Sequence, residues 1–357
     1  MRRLLVVLLV LGLATVVVRG AVPCETLQTQ PSCYVALKPG PTEDAMRLVE
    51  IEGSSAYRSS GELRLTTVAV EEELDLAGWA RAVVSGSVDT VSREVLFPST
   101  SDRDEVTRQN TLLMEDSQLT ATLAALERLD FDIDDAFDGA QVAEVLPDAT
   151  TEELETGDVI VAVEGRPTLD SEEVVAAIAE AQPGDELVLL VRQEDDEREV
   201  EVTLGASPDD PERPFLGVLL RSYLELPVDV RIDAGVIGGP SAGLMFALSV
   251  MDLLEPDELT GGAVVAGTGT VDREGRIGAV GGVRQKVVGA TSPAAGERAA
   301  TVFLVPEGNL ADARSVGVPR DVLLVPVATL DDALSALDDL RAGREPAGAL
   351  ALPERGD

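Results

Sequence analysis

A serine in the run Gly238-Gly239-Pro240-Ser241-Ala242-Gly243-Leu244 and a lysine in the run Gly281-Gly282-Val283-Arg284-Gln285-Lys286 are the side chains of this chain best suited to chemistry. A serine hydroxyl becomes a nucleophile only when a base takes its proton. The chain has no histidine, so a Ser-His-Asp arrangement is excluded. A neutral lysine is the remaining common base. There are two lysines, Lys38 and Lys286, among 28 basic residues, and arginine cannot substitute because its guanidinium does not deprotonate. Lys286 stands beside Val283, Val287 and Val288. That setting predicts a partly desolvated ammonium with a lowered pKa. Pro240 predicts that Ser241 opens a helix, where backbone N–H groups near it, those of Gly239 and Ala242, can face an oxyanion. The plainer readings are a helix N-cap for Ser241 and an ordinary surface position for Lys286.

Between the two runs stands Thr268-Gly269-Thr270, the end of a strand followed by a glycine turn. Taken together, these elements resemble the proteolytic domain of the Lon proteases. There the serine of a Pro-Ser-Ala-Gly motif is the nucleophile, and the lysine of a Gly-Gly-x-x-x-Lys motif is its base. The resemblance covers residues 215–342. It implies Ser241 as nucleophile, Lys286 as base and Thr268 as the residue that supports the lysine. Lon proper carries aspartate where this chain has Gly238.

The elements that must position these residues read as α/β. Strand Val228–Ile232 leads into the serine loop and an apolar helix runs from Ser241 to Leu254. Strand Val264–Val271 precedes a helix over Gly281–Ala290. Strands Thr301–Val305 and Val322–Val327 alternate with helices near Leu310–Val316 and Asp331–Leu340. Upstream, residues 131–206 form a β-rich unit: strands at Ala140–Val145 and Asp158–Glu164, a helix capped by Ser171, and a hairpin of Glu186–Gln193 with Arg198–Leu204. Its stretch Glu155-Thr156-Gly157-Asp158-Val159-Ile160-Val161-Ala162-Val163-Glu164-Gly165 resembles a PDZ domain, which implies peptide capture by strand addition, expected near Ala140–Val145. A linker is expected at 207–214, a stalk at 21–45 and a disordered tail at 343–357. Residues 46–130 hold a strand (Glu62–Val70) and a helix (114–129, with Leu119, Leu123 and Leu126 on one face). These resemble the elements that open the Lon protease fold, which would make the PDZ-like unit an insertion in a split catalytic domain.

The fold class expected is thus an α/β (α+β) Lon-protease-like domain plus a β-rich PDZ-like domain, behind a single N-terminal membrane helix. That helix is the apolar run Leu4–Val18 after Arg2 and Arg3. At about 15 residues, or about 22 Å as a helix, it is short for a span and also fits a signal-peptide core. The preceding arginines place the N-terminus inside and the rest of the chain outside. The PDZ–Lon combination resembles the membrane-anchored proteins of the YlbL type. Cys24 and Cys33 are the two cysteines and could close a small loop in an oxidising compartment.

Composition narrows the partners. A net charge of −37 argues against nucleic acid. The acidic stretch Asp130–Asp138 lacks the glycine and glutamate that a calcium loop needs. Neither lysine stands in a Gly-Lys-Ser/Thr phosphate loop, so no ATP site is expected in this chain, and no cofactor or metal. The expectation is a membrane-anchored, extracytoplasmic serine endopeptidase acting on flexible or unfolded proteins. The alternative is a PDZ peptide-binding protein with a relic catalytic domain. Self-association into a homo-oligomer is an expectation of the Lon resemblance alone.

Overall fold

The computed structural model describes residues 33–352, apart from 53–55, 73, 75–77, 80–81, 83, 98–102, 134–135, 152, 194–195, 209, 293–297 and 319–321. The expected membrane helix, Cys24 and residues 353–357 lie outside the described residues. Among those described, no helix is long and apolar enough to cross a membrane. The chain divides into two compact units. One is built from residues up to Leu129 and from Val230 onward; the other is Asp130–Asp229, which falls in sequence between those halves.

The first half of the larger unit comprises β1 (Tyr34–Asp44), β2 (Val49–Glu52), β3 (Glu62–Glu71), β4 (Asp89–Ser92) and the long helix α1 (Arg103–Arg128). The expected stalk is therefore a strand over Tyr34–Asp44. β1 pairs antiparallel with both β3 and β4. Its Pro39-Gly40-Pro41 run sits where the register shifts between Pro39 and Thr42. A bulge releases backbone groups from the ladder, so proline's missing N–H costs nothing there. Cys33, just ahead of β1, is buried and disulfide-bonded.

The smaller unit carries β5 (Phe137–Val145), β6 (Val159–Val163), α2 (Ser171–Ala179), β7 (Glu186–Gln193), β8 (Asp196–Thr203) and β9 (Val218–Leu224). Its main path runs β9-β5-β6-β7-β8, every neighbour antiparallel. Alternate residues such as Leu187, Leu189 and Val191 bury one face of the sheet under Val174 and Ile178 of α2. Three expectations change here. Asp170, not Ser171, caps α2, accepting from the Glu173 N–H at 2.8 Å. The expected linker 207–214 is a closed loop whose ends pair as strands, Gly205–Ala206 with Pro214–Phe215. The smaller unit also extends past residue 215, because β9 pairs with β5. Ala140–Val145 consequently lies inside the sheet, and the edge on that side is β9.

The second half of the larger unit contains β10 (Asp229–Ile232), α3 (Gly243–Leu254), β11 (Val264–Gly267), α4 (Val283–Thr291), β12 (Val302–Pro306), β13 (Leu323–Val327), α5 (Leu330–Arg341) and β14 (Leu350–Ala351). Both halves contribute to one seven-stranded sheet, ordered β14-β13-β12-β11-β3-β1-β4. β3, β11, β12 and β13 run parallel in its middle, with Leu63 of β3 beside Val265 of β11. The expected disordered tail is overturned over Leu350–Leu352: β14 pairs antiparallel with β13, and Leu352 is buried. Residues alternate between two cores. Leu65, Val265 and Leu304 face α1, α3 and α5, while Ala266, Phe303 and Val305 face α4. α3 is apolar almost all round because it lies inside the first core. α3 and α4 thus cover opposite faces of the sheet.

Candidate active site

The carboxyl ends of parallel strands are where open α/β sheets build their sites. β11 ends at Gly267, and Thr268 follows it directly. The expected continuous strand to Val271 breaks here, because Gly269 takes φ +152°, a conformation that glycine adopts readily. The break is tied to the serine loop: Gly269 N–H donates to the Ser241 carbonyl at 3.0 Å, and Leu244 N–H donates to the Gly269 carbonyl at 3.1 Å. Thr268 is fully buried, and its hydroxyl donates to the same Ser241 carbonyl at 3.0 Å.

Ser241 stands just ahead of α3. The N-cap position belongs to Ala242 and carries no side-chain cap, which removes the plain capping reading of the serine. From the opposite face of the sheet, α4 brings Lys286 across the end of β11. Gly282 makes this entry: it is the N-cap of α4 at φ +67°, and a Cβ there would stand 2.6 Å from Val68 Cγ2. Lys286 Nζ lies 2.5 Å from Ser241 Oγ and 2.9 Å from Thr268 Oγ1. Since the Thr268 hydrogen is committed to the Ser241 carbonyl, its lone pairs face the amine, leaving Nζ aligned on the serine oxygen.

Lys286 is 3% exposed. Desolvation lowers its pKa from 10.5 to about 8, because burial penalises the charged form. A substantial neutral fraction at mildly alkaline pH follows. Ser241 and Lys286 open onto a cleft of about 630 Å³ walled by Thr66–Val68, Val70, Leu96 and Val236–Gly238. Its lining is mostly apolar, with Glu43 among the few charged residues.

The structure brings together three of the five expected residues, Ser241, Lys286 and Thr268, and Ala242 lines the same cleft. Gly239 is the exception. Its N–H donates to the Asn110 carbonyl of α1 at 3.0 Å, so it is engaged rather than aimed at an oxyanion. Gly238 packs on the same residue: a Cβ there would come within 3.1 Å of Asn110 Cβ. Asn110 was invisible in the sequence, since nothing in the exposed first half of α1 ties it to a loop so far along the chain. Among the described residues, no group of His, Cys, Asp and Glu side chains could hold a metal ion.

The geometry thus defines an α/β unit with a buried lysine on a serine hydroxyl. Residues 117–204 match the PDZ domain family, and residues 218–337 match the Lon protease (S16) C-terminal proteolytic domain. Lon protease 2 of Herpetosiphon aurantiacus is 31% identical over 123 residues, covering 33% of this chain and 14% of that protein. Lon protease of Frankia alni is 37% identical over 150 residues, covering 36% and 16%. The matched part of this chain is thus a small fraction of these relatives' length. A solved PDZ domain of an SdrC-like protein from Listeria monocytogenes is 24% identical over 24% of this chain and 88% of that one, with a TM-score of 0.22. The chain combines a PDZ domain with a Lon-type proteolytic domain, consistent with a PDZ–Lon protease family.

Proposed function

We propose that this chain is a serine endopeptidase in which Ser241 attacks a peptide carbonyl and Lys286 is the general base. The supporting observation is the 2.5 Å approach of a desolvated Lys286 amine to Ser241 Oγ. The neutral amine takes the serine proton as Oγ bonds to the carbonyl carbon. The resulting ammonium returns that proton to the leaving amine as the C–N bond breaks. Water then attacks the acyl-serine carbonyl, losing a proton to Lys286, which passes it to Ser241 Oγ as the ester bond breaks and the acid leaves. Thr268 orients the lysine. The N–H of Ala242, at the mouth of α3, is assigned as a backbone donor to the oxyanion.

No motor for unfolding substrates is assigned within this chain, which favours flexible segments or already unfolded proteins. For the PDZ unit we assign substrate recognition or regulation. The edge strand β9, with Leu219 exposed, offers the backbone groups that an added peptide strand needs. Anchorage by the apolar run Leu4–Val18, with the catalytic part outside the cell, and assembly into a homo-oligomer complete the proposal.

The test compares the full chain with Ser241→Ala on an unfolded protein, without ATP, at several pH values. Cleavage by the first and none by the second is expected. Absence of cleavage by both would overturn the peptidase and favour a binding role; equal cleavage by both would move the chemistry away from Ser241.

A further inference from the structure

Behind the start of α4 lies a second cleft, of about 860 Å³, and Gly281 and Gly282 wall both it and the Ser241 cleft. Asp89, the first residue of edge strand β4, reaches α4 from this side. One carboxylate oxygen accepts from Arg284 Nη1 at 2.7 Å and the other from Gln285 Nε2 at 2.9 Å. Arg284 Nη2 also donates to the Gly86 carbonyl at 3.1 Å. Gln285 is fully buried, and its Oε1 has no partner among the described residues. Its amide therefore depends on Asp89 and cannot turn to water if that carboxylate is lost.

Arg284 and Gln285 are consecutive, so their side chains leave the helix about 100° apart. A single carboxylate gripping both fixes the first turn of α4 in rotation as well as in rise. Just upstream, Asn309 holds Val280 on both sides, accepting from its N–H at 2.7 Å and donating to its carbonyl at 3.0 Å. Lys286 is the next residue after the gripped pair. Its own polar contacts are the two hydroxyls at Ser241 and Thr268, so its reach depends on where this turn stands.

We propose that Asp89 is a positioning residue for the reaction, holding the first turn of α4 through Arg284 and Gln285 so that Lys286 Nζ meets Ser241 Oγ. The proposal rests on the serine–lysine reading of the site. What Asp89 adds to stability comes chiefly through the buried Gln285 amide and not through the ion pair. The Asp89–Arg284 pair is about a third exposed, at 34% and 33%, and such pairs contribute little.

The chain's two lysines make the test direct. Labelling lysine Cε with ¹³C in the full chain gives two signals, Lys38 and Lys286, and the titration of Lys286 can be followed with Lys38 as internal reference. Among the described residues, the other charged side chain lining that cleft is Glu43 of β1, and it is unchanged in every variant. For Asp89→Ala we expect kcat to fall about 10- to 100-fold with little change in KM, the scale of a misplaced catalytic group. The Lys286 midpoint should rise as the displaced amine gains water. Asp89→Asn, which keeps an acceptor for Gln285, should fall between, and Asp89→Glu should restore part of kcat. A folded Asp89→Ala, or Asp89→Asn if the former does not fold, with wild-type kcat and an unmoved Lys286 midpoint overturns the proposal, whatever its melting temperature. If the wild type shows no Ser241-dependent cleavage, the peptidase reading fails by itself. The Lys286 midpoint then decides the clamp alone: a shift in the Asp89 variants sustains it, and no shift overturns it.

Discussion

The two lysine sites of the larger unit are opposites. Lys38, on β1, is 42% exposed in its side chain and pairs with Glu71 at 2.5 Å. Lys286, on α4, is 3% exposed, and its amine meets the hydroxyl oxygens of Ser241 and Thr268. The first site offers an ammonium both water and a counter-charge; the second withholds both. A lysine becomes a base when the protein refuses to solvate its charge while still giving its nitrogen a direction. Burial does the first here, and Thr268 does the second.

Exchanging each lysine for methionine breaks the comparison most sharply. Lys286→Met is expected to cost about four orders of magnitude or more in kcat, the scale seen when a member of a catalytic unit is removed. Lys38→Met should leave peptidase activity within about twofold, as surface changes away from a site do. Comparable losses in both variants would mean that Lys286 acts through stability and not as a base.

Thr268→Val separates direction from desolvation. The base must be neutral in the resting site, so with a pKa of about 8 kcat/KM should climb about tenfold per pH unit below 8 and level off above it. Valine keeps the shape of threonine and removes both of its hydrogen bonds. We expect the plateau to fall about 10- to 100-fold while the acid limb stays near pH 8, because burial, not Thr268, depresses the lysine. A limb that moves to the ordinary lysine range with an unchanged plateau would reverse these roles. A wild-type rate that is flat from acid to neutral pH would remove lysine as the base altogether.

How much of this was legible in the sequence follows from which contacts are local. The scarcity of lysine, the glycine-flanked serine and the valines around Lys286 carry their meaning within a few residues, and they pointed to the pair that the fold brings together. The role of Gly239 was not legible, because its N–H is taken by Asn110, a partner far back in the chain. The Pro39-Gly40-Pro41 run read as a stalk because prolines usually leave a ladder, whereas here they occupy its bulge. α1 was legible only over its second half. Residues Thr107–Leu113 are solvent-exposed, so their apolar spacing carries no period. The end of the smaller unit was misplaced for a related reason: β9 belongs where its pairing with β5 puts it, and pairing across a long loop leaves no mark on either strand.

The smallest expected effect is on stability, and it runs against the activity. The folded pKa of Lys286, about 8, lies below its ordinary 10.5. Between these values the unfolded chain binds more protons than the folded one, so this group makes stability rise with pH over that window. Below pH 8 the folded state must hold a desolvated ammonium. A shift of that size corresponds to a penalty of about 3 kcal/mol, and the penalty disappears as pH climbs through 10.5. Methionine fills a similar volume without a charge, but it gives up the hydrogen bonds to Ser241 and Thr268, which offset part of the gain by about 1 kcal/mol each. Lys286→Met should therefore be more stable than the wild type at pH 7 by about 1 kcal/mol, with the advantage shrinking or reversing by pH 10. Lys38→Met should show no such trend. Urea unfolding of both variants at the two pH values measures this. A Lys286→Met variant that loses equal stability at pH 7 and pH 10 would mean that the amine is solvated in the folded chain, and the contrast between the two lysine sites would then be one of neighbours and not of water.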